Sequence, residues 1–274
     1  MDFYRIRERV AKNGVVDVYP DFKVVRSKDL MVRGRSFYAI WDEERSLWST
    51  DEYDVQRLVD EDLSNYKTGS EGSTQIKFLS DFSSNSWLQF RNYIGHLSDS
   101  STQLDENLTF SNTEVKKSVF VSRRLPYPLV AGDHSAYDEI ISTLYSPEER
   151  AKIEWAIGAV ISGDAKTIQK FLVFYGKGGT GKSTIMNIIQ KLFEGYYTTF
   201  DAKALVGSSN AFSTEVFKSN PLVAIQHDGD LSKIEDNTKL NSIVSHEDMT
   251  LNEKYKPSYM AKINAFLFMG TNKP

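Results

Sequence analysis

The sequence predicts an α/β protein with a parallel sheet, preceded by a helical segment and a small N-terminal α+β domain. Three observations carry this. An apolar run at residues 171–175 leads into Gly176-Lys177-Gly178-Gly179-Thr180-Gly181-Lys182-Ser183, and behind it Ile185, Ile188, Ile189 and Leu192 recur at helical spacing. Two later apolar runs, 221–226 and 265–270, read as buried parallel strands, each with polar residues at its carboxyl end. Far upstream, residues 1–66 alternate short apolar runs with polar breaks, the pattern of a small sheet. The expected division is an N-terminal α+β domain at 1–66, a linker and mixed segment at 67–134, a helical segment at 135–170, and a nucleotide-binding core at 171–274.

The glycine-rich stretch matches the complete pattern of a phosphate-binding loop, and it stands where that loop must stand, between a strand and a helix. Glycines let backbone N–H groups turn inward around a phosphate. Lys182 would reach the β and γ oxygens, and the Ser183 hydroxyl would ligate magnesium. A nucleoside triphosphate with Mg²⁺ is therefore the expected ligand.

Composition narrows the setting. The 274 residues are 40% hydrophobic and 12% aromatic, enough to fill a core. No run approaches the length of a membrane span, and the start lacks the apolar stretch of a secretion signal, so no membrane partner is expected. There are no cysteines, which excludes disulfides and thiolate metal sites, and four scattered histidines form no ligand cluster. A reducing, cytoplasmic location follows as the expectation. With a net charge of −4 and neither half basic, any contact with nucleic acid must be local.

In chain order, strands are expected at 15–19, 22–25 and 36–41 and a helix near 51–63. Lys23, Arg26, Lys28, Arg33 and Arg35 form a basic stretch that suits solvated faces of a small domain, with a DNA or partner contact as the alternative. Residues 67–73 are a glycine and serine cluster that reads as a linker. A helix is expected around 87–97, where Phe78, Phe82, Trp87, Phe90 and Tyr93 fit a core better than a base-stacking surface. Ser146-Pro147-Glu148-Glu149 is a helix start, with Ser146 as cap and Glu149 completing a capping box, and the helix should stop near Ser162-Gly163-Asp164.

Beyond the loop helix, a second strand is expected at 197–200 and a buried strand at 221–226 that ends in His227-Asp228-Gly229-Asp230. Acids at the carboxyl end of a central parallel strand sit beside the phosphate loop. Asp228 is assigned to the metal and Asp230 to the attacking water, with the reverse order left open. A helix is expected at 231–245. Lys254, Tyr255 and Lys256, next to Pro257, read as a hairpin displaying cations and an aromatic ring, suited to a nucleic-acid backbone or to an ordinary surface turn. The last strand ends at Thr271-Asn272, where Asn272 is placed to hydrogen-bond the γ-phosphate or its water.

Taken together these blocks resemble the superfamily 3 helicases, specifically the ATPase region of poxvirus-type phage and plasmid primase-helicases. The matching residues are Gly176 through Thr184 for the first motif, 222–230 for the second, Lys254 to Lys256 for the DNA-contact motif, and 266–272 for the third. The stretch 137–170 looks like the segment that precedes the ATPase in that family, so the resemblance covers roughly residues 135–274. It implies an AAA+-like P-loop NTPase core, catalysis by Lys182, Asp228, Asp230 and Asn272, and ATP hydrolysis with Mg²⁺ held by Ser183 and Asp228. It further implies translocation on single-stranded DNA, a hexameric homo-oligomer, other replication proteins as partners, and a bacterial host cytoplasm. The sequence departs from the family in two ways. Gly229 separates acids that are usually adjacent, and the sequence reads as truncated after the third motif, before the family's arginine finger. The alternative expectation is accordingly a catalytically weak nucleotide-binding regulator of a full-length helicase ring. Priming activity is less expected than helicase activity, because residues 1–130 are short for a primase catalytic domain and offer no convincing paired-acid metal motif.

Overall fold

A computed structural model describes residues 1–23, 27–33, 36–81, 84–97, 105–206, 213–230, 237–252 and 258–273. The chain is mixed α/β and divides into two compact units, one of Met1–Thr109 with Thr113–Arg124, the other of Phe110–Asn112 with Leu125–Pro274.

The first unit contains β1 (Tyr4–Val10), β2 (Val16–Phe22), β3 (Leu30–Arg33), β4 (Ser36–Asp42), β5 (Leu47–Ser49), α1 (Tyr53–Asn65), β6 (Thr74–Ile76), α2 (Asn85–His96), and most of β7 (Asp105–Phe110) and β8 (Val121–Leu125). Strand β1 runs antiparallel to β2, and β6 joins β2 in parallel, giving the order β1-β2-β6. Strands β3, β4 and β5 form an antiparallel meander. Helix α1 buries Val55, Leu58, Val59 and Leu63, one stripe of its surface, against Phe3, Val16, Val18 and Ile40. Helix α2 opens on Ser84, whose side chain accepts from the Trp87 N–H at 3.3 Å, and it buries Phe90, Tyr93 and Ile94 in the same core.

The unit is therefore larger than residues 1–66. The glycine and serine cluster expected to be a linker is pinned to β1, because Glu8 accepts from the Gly69 N–H at 3.0 Å and from the Ser70 hydroxyl. Phe78, Trp87, Phe90 and Tyr93 pack into the core as expected. Phe82 lies outside the described residues, as do Arg26 and Arg35 of the basic stretch.

The second unit begins with α3 (Ser135–Leu144) and α4 (Pro147–Ser162). The start of α4 is the expected capping box: Ser146 Oγ accepts from the Glu149 N–H at 3.3 Å, and Glu149 accepts from the Ser146 N–H at 2.8 Å. Gly163, at φ +81°, ends the helix in the left-handed conformation that favours glycine. Then come β9 (Leu172–Tyr175), α5 (Lys182–Leu192), β10 (Tyr197–Thr199), α6 (Ala202–Val206), β11 (Val223–Gln226), α7 (Thr238–Val244), β12 (Asp248–Leu251), β13 (Tyr259–Lys262) and β14 (Phe266–Thr271).

Four of these strands form one sheet in the order β10-β11-β14-β9, with every neighbouring pair parallel. Strand β14 is inserted between β9 and β11, so the carboxyl ends of all three lie side by side. That arrangement gathers the polar residues. The apolar run at 171–175 suggests a short buried strand, yet Val173 is 38% and Tyr175 64% exposed. The reason is strand order, which puts β9 at the sheet edge with Phe174 alone turned firmly inward. The central strands behave as expected, since every residue of β11 and β14 is buried.

Candidate functional site

The stretch after β9 turns into α5 through two left-handed glycines, Gly179 at φ +82° and Gly181 at φ +79°. Gly176 leaves no slack either, since a Cβ there would stand 3.1 Å from Thr180 Oγ1, which donates to the Lys177 carbonyl at 3.0 Å. The chain can therefore wrap its N–H groups inward and present the N-terminus of α5, with its partial positive charge, to the same space.

Lys182, the first residue of α5, is buried at 9% exposure. Its ammonium donates to the Gly176 carbonyl at 2.7 Å, the Lys177 carbonyl at 2.9 Å and Asn272 Oδ1 at 2.8 Å. The loop thus meets the end of β14 through this side chain, and the Gly176 N–H also donates to the Thr271 carbonyl at 3.2 Å.

A cavity of about 410 Å³ opens here. Its walls are Gly178, Gly179, Thr180, Gly181, Lys182, Ser183, Thr184, His227, Asp228, Asn272 and Leu144. Of the two acids after β11, Asp228 shares this cavity with Ser183. Asp230 lines an adjoining cavity of about 280 Å³ with Asp201, Lys203 and Gln226, and Asp228 borders both. Asp230 Oδ2 lies 3.9 Å from Lys203 Nζ, and the backbone of Asp230 bridges in parallel to Lys273.

The separation of the acids by Gly229 has a packing reason. A Cβ at Gly229 would lie 2.7 Å from the side chain of Gln226, which is itself fixed by the Ala202 N–H at 3.3 Å and by donation to Asp201 at 3.4 Å. His227 is a neighbour of the site, its Nε2 3.3 Å from Gln190 Oε1.

The donor set suits the expected ligands. Ser183 and Asp228 both offer oxygen to one polar space, which fits a hard cation that keeps several waters and takes its remaining ligands from phosphate. Among the described residues no group of three or more His, Cys, Asp or Glu forms an all-protein metal cage. The glycine cradle and helix terminus fit the phosphates. Lys254, Tyr255 and Lys256 lie outside the described residues, and the strands on either side, β12 and β13, pair antiparallel as a hairpin requires.

Two contributors were not read from the sequence. Leu144, at the end of α3, packs its methyl carbons 2.5 and 2.6 Å from where a Cβ on Gly181 would stand, so it forms an apolar wall against the loop. Tyr145 beside it meets Phe174 edge-on at 6.1 Å, and burial raises its hydroxyl pKa. Gly270 is the other. A Cβ there would collide with the His227 carbonyl and approach Met186 to 2.8 Å, while the Gly270 carbonyl accepts from the Gly229 N–H at 2.8 Å. A glycine inside a strand signals such close backbone approach. No comparable signal marks Leu144.

The architecture is thus a mixed α/β chain whose polar side chains converge at one end of a parallel sheet. A family described as a family of unknown function (DUF5906) matches residues 174–274, the stretch from β9 through β14. No curated protein matches the chain. Among solved structures it is similar to the A-form structure of the C-terminal region of NrS-1, at 13% identity and a TM-score of 0.51, with 89% of this chain and 53% of that one covered. A second structure of the same region aligns at 12% identity and a TM-score of 0.49, with 89% of this chain and 54% of that one covered. The chain spans about half the length of these solved chains. At this identity the likeness is one of fold.

Proposed function

We propose that the chain is the ATP-dependent motor region of a DNA helicase that works in phage or plasmid replication. The observation that supports this most is the convergence of the glycine loop, Lys182, Ser183, Asp228 and Asn272 on one cavity at the carboxyl ends of β9, β11 and β14. The helicase part of the reading rests on the order and spacing of the motifs, which resemble superfamily 3.

In this reading the N–H groups of Gly178 to Ser183 hold the phosphate oxygens, and Lys182 balances charge on the β and γ groups. Ser183 and Asp228 hold magnesium, which when bound draws charge from the phosphates and fixes their orientation. Asp230 orients the attacking water from the adjoining cavity, and Asn272 contacts the γ-phosphate. Lys254, Tyr255 and Lys256 grip single-stranded DNA, and copies of the chain assemble into a ring.

The test is steady-state ATP turnover with Mg²⁺, with and without single-stranded DNA, alongside the mass of the particle by light scattering. DNA-stimulated turnover by an oligomer is the expected result. A chain that binds ATP but shows no stimulation would overturn the motor and leave the nucleotide-binding regulator. A chain that binds no nucleotide would overturn both.

A further inference from the structure

The ammonium of Lys182 has three N–H donors, and all three are engaged, by Gly176, Lys177 and Asn272. A phosphate oxygen that is to receive Lys182 must therefore displace one acceptor. The two carbonyls are fixed by the loop backbone. Asn272 is different, because it is a side chain, it comes from another element, and it is exposed. An ammonium only donates, so the atom facing it must be the amide oxygen, and the amide NH₂ then points elsewhere.

We infer that Asn272 competes with phosphate for Lys182: its amide oxygen must yield the ammonium before its NH₂ can make the γ-phosphate contact of the proposed function. This rests on the nucleotide-binding reading and deepens it. An amide suits the task because it carries an acceptor and a donor on one pivot, which a carboxylate or a hydrocarbon does not. The exchange is also placed to be felt elsewhere. Lys273, the next residue, pairs with Asp230, and Thr271 holds Gly176, so the pivot sits between the loop and the second acid.

A competitor scales apparent affinity down to the fraction of molecules in which the lysine is free of it. In the full chain, Asn272→Ala should therefore bind Mg·ADP about 5-fold more tightly, the size of effect that the net strength of one ordinary hydrogen bond produces. Mg·ATP should gain less, because the contact to the γ-phosphate is lost as well. Asn272→Asp, which strengthens the grip on Lys182, should weaken both by about 10-fold. Titration calorimetry with ADP and ATP on the three proteins reads this directly. Unchanged ADP affinity with weaker ATP binding in Asn272→Ala would mean a γ-phosphate contact only, and equal weakening of both would mean a merely structural residue. Either overturns the inference while leaving nucleotide binding intact. A wild-type chain that binds neither nucleotide would remove the reading beneath it.

Discussion

The two units use buried charge in opposite ways. In the first, the Asp42 side chain is fully buried and receives the Arg45 N–H at 3.0 Å, the Arg45 guanidinium at 2.5 Å and the Arg57 guanidinium. Arg45 and Arg57 in turn reach Asp54, and Arg57 reaches Glu61 at 3.0 Å. Each cation there is answered by carboxylates, so the network can close on itself and fasten β4 to α1. In the second unit Lys182 is also buried, yet its acceptors are two carbonyls and an amide, all neutral. Its charge is solvated but not cancelled. A charge paired within the fold serves the fold, whereas one held only by neutral oxygens still attracts an anion.

Three experiments probe that contrast, from the largest effect to the smallest. Lys182→Ala should lower affinity for Mg·ATP about 100-fold, the cost of removing one partner of an enclosed charge pair, while the melting transition of the first unit is retained. Loss of binding together with loss of the fold would erase the distinction. Asp42→Ala should do the reverse, costing about 2 kcal/mol of stability in denaturant unfolding, with ATP affinity unchanged. That is less than a fully buried pair would cost, because Arg45 remains half exposed.

The third experiment uses pH. Burial alone would raise the pKa of the Asp42 carboxyl, but the Arg45 N–H, its guanidinium and Arg57 outweigh it and hold the group below its ordinary value of 3.8. Asp54 is held low in the same way, with Ser49, Arg45 and Arg57 overcoming burial. A depressed carboxylate contributes stability that is full above the unfolded value and lost as pH falls through the folded one. The first unit should accordingly weaken by about 1 kcal/mol between pH 5 and 3, by thermal melting. In Asp42→Ala the acid-sensitive part should shrink, and an unchanged pH profile there would assign it to other groups.

How much of this was legible in the sequence depended on distance along the chain. The glycine loop is contiguous, and Ser146, Pro147 and Glu149 make a local cap, so both could be read residue by residue. Asp228 and Asn272 were legible because each follows an apolar run that ends abruptly. What could not be read was non-local. The pairing of β6 with β2 spans more than fifty residues, and it turned an expected linker into part of the first unit. The edge position of β9 depends on strand order, which no local pattern encodes. Leu144 reaches the loop only because α3 ends against Gly181, and Gly229 parts the acids because Gln226 fills the space beside it.

One small contact links the helical preface to the later strands. His246 directs Nδ1 to the Ile263 carbonyl at 2.9 Å, and Nε2 to the carbonyls of Ala165 at 3.0 Å and Ile168 at 3.2 Å. One imidazole ring thus stands between the turn behind α4 and the strands that follow α7. A fragment cut just before β9 would keep every residue of the glycine loop and still lose two of the acceptors that His246 faces, along with the Leu144 wall. A gene fusion or domain swap that parts the chain at residue 171 therefore removes contacts that the loop and the later strands make with the helical preface.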